Sequence, residues 1–171
     1  MRRIPARLMV LSAMLAGVLA VGATAAQASG TGAKFKPDTS ASVVVGGPTN
    51  GALSIFIDES GVGQLTVNYT LDWTATADYG CINGGGNHPQ ATNKATTSAG
   101  AAASFSESPI NGRVMATFVV PGTPPPATGF SCPGGQTLVL ADVSYSATLT
   151  DTTNNSSIML SASHTFFTFK K

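Results

Sequence analysis

Polar side chains able to grip a ligand gather once in this chain, where Asn83, Asn87, His88, Gln90, Asn93 and Lys94 surround the run Gly84-Gly85-Gly86. Amides and an imidazole both donate and accept hydrogen bonds. Glycines let a backbone come close to whatever is held. With the ring of Tyr79 just upstream, the set suits a hydroxyl-rich ligand such as a sugar. The competing explanation is a plain connection between strands, whose glycines serve only to reach positive φ.

Other chemistries find less support. A metal site would need His88 and His164 to be joined by cysteines or carboxylates at ligand spacing, and none stands there. The triple glycine lacks the strand–GxGxxG–helix setting of a nucleotide fold. The acidic residues are Asp38, Asp58, Glu59, Asp72, Asp78, Glu107, Asp142 and Asp151. Glycoside hydrolysis needs two carboxyls facing each other across a cleft. Asp72 and Asp78 share one face of a strand but lie roughly 20 Å apart along it. The carboxylates therefore read as solvated surface groups. No Gly-x-Ser-x-Gly elbow is present. No catalytic residue, metal or cofactor is expected.

Composition narrows the partners. Charged residues make up 10% of the chain, so Ser, Thr, Asn and Gly must cover its surface. Arg2, Arg3 and Arg7 precede an apolar run and an Ala26-Gln27-Ala28 cleavage pattern, which marks residues 1–28 as a secretory signal peptide. Removing those three arginines from nine basic residues leaves six against eight acidic ones, a net charge of −2. That argues against nucleic acid as a partner. The apolar run is too short and too rich in Ala and Gly for a retained membrane span. Two cysteines in an exported chain read as one disulfide, Cys81–Cys132.

The elements that must position these groups are strands. Residues 65–81 alternate without a break, with Leu65, Val67, Tyr69, Leu71, Trp73, Ala75, Ala77, Tyr79 and Cys81 on one face. That period of two belongs to a strand with one face in a core. Its length predicts a bend or bulge near residues 75–77, letting it serve two sheets. Further strands are expected over 42–45, 52–58, 101–107, 113–120, 137–150 and 156–169, with a loop over 82–99 and a turn at 58–61. Pro109-Ile110-Asn111-Gly112 predicts a hairpin pairing 101–107 with 113–120. Residues 29–40 read as a flexible lead-in and 41–171 as a single domain. The expected fold is all-β: an antiparallel β-sandwich of immunoglobulin-like architecture, with about seven strands and one disulfide. A closed barrel is the alternative.

The runs Cys81-Ile-Asn-Gly-Gly-Gly, Gly129-Phe-Ser-Cys132-Pro and Thr150-Asp-Thr-Thr-Asn154 resemble those of small exported proteins of actinomycete type. The resemblance implies secretion, a β-rich fold and one disulfide, and no activity. The functional expectation is a non-catalytic extracellular binding or cell-surface module, with polysaccharide, an envelope component or a protein as partner. A self-associating envelope protein is the alternative, and a small hydrolase or protease inhibitor ranks below both. N-terminal sequencing of the exported protein is expected to begin at Ser29, or at Ala26 if cleavage follows Ala25.

Overall fold

The computed structural model describes residues 32–83 and 93–168. It contains eight strands and no helix among the described residues: β1 (Lys34–Phe35), β2 (Ser40–Val43), β3 (Leu53–Ser60), β4 (Val67–Asn83), β5 (Lys94–Glu107), β6 (Arg113–Val119), β7 (Gln136–Asp151) and β8 (Ser156–Thr165). They form two antiparallel sheets that do not close into a barrel. In the smaller sheet β3 pairs with β6 on one side, and with β1 and β2 end to end on the other. The larger sheet has the order β5-β4-β7-β8. The architecture is the expected sandwich, with eight strands rather than seven. The signal peptide lies outside the described residues. The lead-in expected to be loose is docked from Lys34 onward, and Thr39 is buried where its hydroxyl donates to the Asp58 carbonyl.

Strand β4 organises the larger sheet. Its odd residues from Val67 to Cys81 are all buried, as the alternation requires. They pack against Leu53, Ile55 and Ile57 of β3 and Val143, Tyr145, Ala147 and Leu149 of β7. Strand β4 stays in one sheet throughout, and the irregularity falls elsewhere. The β4–β7 register passes from Asp78↔Asp142 to Tyr79↔Leu140, leaving Ala141 as an extra residue on β7. The Ala141 carbonyl then accepts hydrogen bonds from the Phe166 and Phe167 amides, which ends β8 at Thr165.

Three further expectations are corrected. The turn at 110–113 forms, with Asn111 and Gly112 at positive φ, but β5 and β6 lie in different sheets. Both strands have one apolar face, and those faces meet across the sandwich, where the rings of Phe105 and Phe118 stack at 4.2 Å. Packing of both partly buried rings against the core favours opposite sheets over pairing edge to edge. The loop expected over 82–99 is shorter, because β4 runs to Asn83 and β5 starts at Lys94. Small residues such as Ala95 and Thr97 pair in register with Tyr79 and Ala77. Finally, Asp58 and Glu59 belong to β3 rather than to a turn, and both are buried. Asp58 accepts two hydrogen bonds from the Arg113 guanidinium, at 2.7 and 2.6 Å, which hold its carboxyl below the usual range.

The smaller sheet covers only part of the long strands. The segment between β6 and β7 covers the rest. Tyr79 donates its hydroxyl to the Pro125 carbonyl at 2.7 Å, and Tyr145 donates to Gly51 at 2.7 Å. Gly51 sits at φ 87°, and a Cβ there would run into the Leu140 side chain. The Cys81–Cys132 disulfide ties this segment to the exit of β4 across a separation of 51 residues. Loop-closure entropy assigns such a bond about 4 kcal/mol. A Cys81→Ala/Cys132→Ala variant should lose stability on that scale in urea unfolding, and reduced wild type should match it; unchanged stability would contradict the role given to the bond.

Candidate functional site

The antiparallel ladders decide which groups meet on the outer face of the large sheet. The even residues of β4 from Thr70 to Asp78 point there, and each has a partner on β5 and on β7. Reading across the sheet, Ser104, Thr70, Thr150 and Ser157 form one row. Gly100, Thr74, Ser146 and Ser161 form another, and Ser98, Thr76, Ser144 and Ser163 a third. The face is therefore rich in hydroxyls on a stiff support, interrupted by the row Ala102, Asp72, Thr148 and Met159, whose methionine is exposed. Neighbouring strands set its spacing at about 4.8 Å.

Its loop end carries the strongest acceptors. There the row is Thr96, Asp78, Asp142 and Thr165. Asp78 and Asp142 stand directly opposite each other. Thr96 donates its hydroxyl to Asp78 and Thr165 donates to Asp142, each at 2.5 Å. Like charges directly opposed on a sheet cost stability. The two hydroxyls offset part of that cost. Lys94 lies two residues from Thr96 on the same face of β5. These side chains, with Phe167 beside them, line a cleft of about 470 Å³. A shallower depression of about 400 Å³ opens nearer the middle of the face, between Asp72, Thr74, Gly100 and Ser146. It lies where Gly100 contributes no side chain to the row.

The residues nominated from sequence divide. Lys94 lines the cleft. Asn83 ends β4 opposite Gln136, and Asn93 donates its side-chain amide to Gln136 at 3.4 Å. Tyr79 also lies along the cleft, although most of it is buried in the core and its hydroxyl donates to the Pro125 carbonyl. Asn87, His88 and Gln90 lie outside the described residues. Asp142, Thr96 and Thr165 were missed. A sequence scan compares Asp78 with Asp72 along one strand, whereas register pairs Asp78 with Asp142 from a strand 64 positions later. Both aspartates fall on polar positions of alternating strands, and that was the available signal. Among the described residues no three His, Cys, Asp or Glu side chains are grouped to hold a metal ion.

A second acidic group is buried between the sheets and is not solvated as the sequence suggests. Glu59 accepts a hydrogen bond from the Tyr69 hydroxyl at 2.9 Å on Oε2, while its Oε1 has no partner. Asp151 is buried beside it, with its carboxylate held by the amides of Thr153 and Asn154 and by the Asn154 side chain. Burial pushes the Glu59 carboxyl up to about 7, the Tyr69 hydroxyl opposes that rise, and Asp151 adds to it. A proton on Glu59 gives its bare oxygen a donor to offer Asp151. This cluster is closed to solvent and belongs to the core.

No protein-family model, curated protein or solved structure matches this chain.

The Glu59 arrangement makes stability depend on pH. Its carboxyl is raised in the folded state, so its contribution is complete below about 4.5 and declines as pH rises through 7. The full decline is up to about 3 kcal/mol. Denaturant unfolding between pH 5 and 8 should show this slope, and Glu59→Gln should flatten it. An equal slope in both proteins would remove Glu59 as its source.

Proposed function

We propose that this protein is a non-catalytic exported module that holds a polyhydroxylated ligand, a polysaccharide, on the outer face of the β5-β4-β7-β8 sheet. The observation that carries the reading is the hydroxyl-rich face with its carboxylate-lined cleft. Sugar hydroxyls both donate and accept, and Ser and Thr hydroxyls do the same. Asp78 and Asp142 add charge-assisted acceptors at one end. A strand-borne surface of successive rows suits an extended polymer, which can contact several of them in turn. Asn83 and Asn93 stand at the cleft end of that surface, beside Gln136.

Export fits the same reading. The leader pattern directs the chain out of the cell, and the Cys81–Cys132 bond suits an oxidising compartment. No helix among the described residues is long and apolar enough to cross a membrane.

Retention on insoluble cell-wall, glucan and chitin fractions tests the proposal. Wild type should be retained on at least one. Asp142→Ala should weaken that retention about tenfold, since a charge-assisted hydrogen bond is worth about 1.5 kcal/mol or more. A variant lacking residues 84–92 separates face from loop: kept retention assigns the binding to the sheet, and lost retention moves it to the loop. Failure of the wild type on every fraction, or equal retention of Asp142→Ala, would overturn the assignment.

A further inference from the structure

The large sheet has two edges, and they are treated differently. Strand β8 has β1 and β2 of the smaller sheet lying close by. Strand β5 pairs with β4 along its whole length, and no described strand pairs with its other side. Exposed edges are normally guarded by proline, charge or a bulge. Strand β5 has none of these within it. Its fourteen residues pair with β4 without a register shift, and its only charges are Lys94 at one end and Glu107 at the other.

The direction of its free hydrogen-bonding groups follows from the ladder. The Cys81 amide donates to the Asn93 carbonyl, so odd residues of β5 bond to β4. On the other side of β4 the Thr152 amide donates to Asn68, which places even residues of β4 against β7 and agrees with that phase. The amides and carbonyls of Thr96, Ser98, Gly100, Ala102, Ser104 and Ser106 therefore point away from the sheet.

We infer that β5 is the docking edge for a second copy of this chain, paired antiparallel through β5 about a two-fold axis near Gly100. Charge favours that orientation at the level of the strand ends. Antiparallel pairing brings the Lys94 end of each strand to the Glu107 end of its copy, with Lys94 on the outer face and Glu107 on the inner one, while parallel pairing would set like ends together. The centre of the contact is small: Ala99, Gly100, Ala101 and Ala102 leave the two backbones free to approach. Pairing merges two four-stranded sheets into one of eight strands. Such a contact is independent of the ligand proposed above, and it would present two copies of any binding face in one plane.

Sedimentation equilibrium and amide exchange test it on the full mature chain. At concentrations on the order of 100 µM, where a weak strand-to-strand contact is populated, the wild type should sediment as a dimer. The amides of Ser98, Gly100, Ala102 and Ser104 should gain protection as concentration rises, while Ala99, Ala101 and Ala103 stay protected throughout. Ala102→Pro removes an outward amide and no bond to β4, so it should weaken dimerisation at least tenfold while keeping the circular dichroism spectrum and the disulfide. Ser98→Pro provides the same change at a second site should the first disturb folding. A monomer at all concentrations, outward amides that never gain protection, or a dimer that survives both folded proline variants would each overturn the inference.

Discussion

Strand β4 is paired on both sides for nearly its whole length, and the rest of the molecule follows from that constraint. A strand inside a sheet has no freedom to rotate. Its odd side chains must be buried and its even ones must face out. Because odd residues bond to β5 and even residues to β7, both neighbours inherit the same division of faces. Tyr69, Leu71, Trp73, Ala77 and Tyr79 thereby become core, while Thr70, Thr74, Thr76 and Asp78 become surface. One slip in register would exchange the two sets. The single extra residue, Ala141, lies where the strands pass beyond the smaller sheet, and the amides of Phe166 and Phe167 satisfy its carbonyl.

The larger sheet is longer than the smaller one can cover, and the chain closes the difference with irregular backbone. The segment carrying Pro124, Pro125 and Cys132 packs Ala127 and Phe130 against the core and is also held by particular bonds. The Tyr79 hydroxyl, the Thr123 hydroxyl and the disulfide do this. These anchors give Tyr79 a structural task at the floor of the cleft it also lines. Its ring fills the core and its one polar atom is used to hold the covering segment. The acidic groups divide by the same logic. Asp58 and Glu59, adjacent on β3, are both buried, yet Arg113 keeps the first charged while burial favours a proton on the second.

Much of this was readable in residue order. The alternation from Leu65 to Cys81, the two-cysteine bond and the absence of helical periodicity point to an antiparallel sandwich with one disulfide. Local signals misled where a longer-range force competed. Asn111-Gly112 makes the turn it promises, but the stacking of Phe105 on Phe118 sends the flanking strands to opposite sheets. Asp58-Glu59-Ser60-Gly61 has the composition of a turn, yet β6 pairs with β3 through Ser60 and carries the strand onward. The stretch after Lys94 is too small and polar to announce a strand, and only its partner β4 makes it one.

Sequence by itself determined the faces, because alternation is a property of consecutive residues and needs no partner. It determined the class of fold and the covalent tie for similar reasons. Tertiary structure decided which strands are neighbours, and so which side chains from distant positions share a row. Asp78 and Asp142 are unremarkable apart and form the centre of a cleft together. It also decided which polar groups lose their water, since Glu59 becomes a core residue only when both sheets close over it. Register and enclosure depend on the whole set of pairings at once, and no short stretch of this chain contains that information.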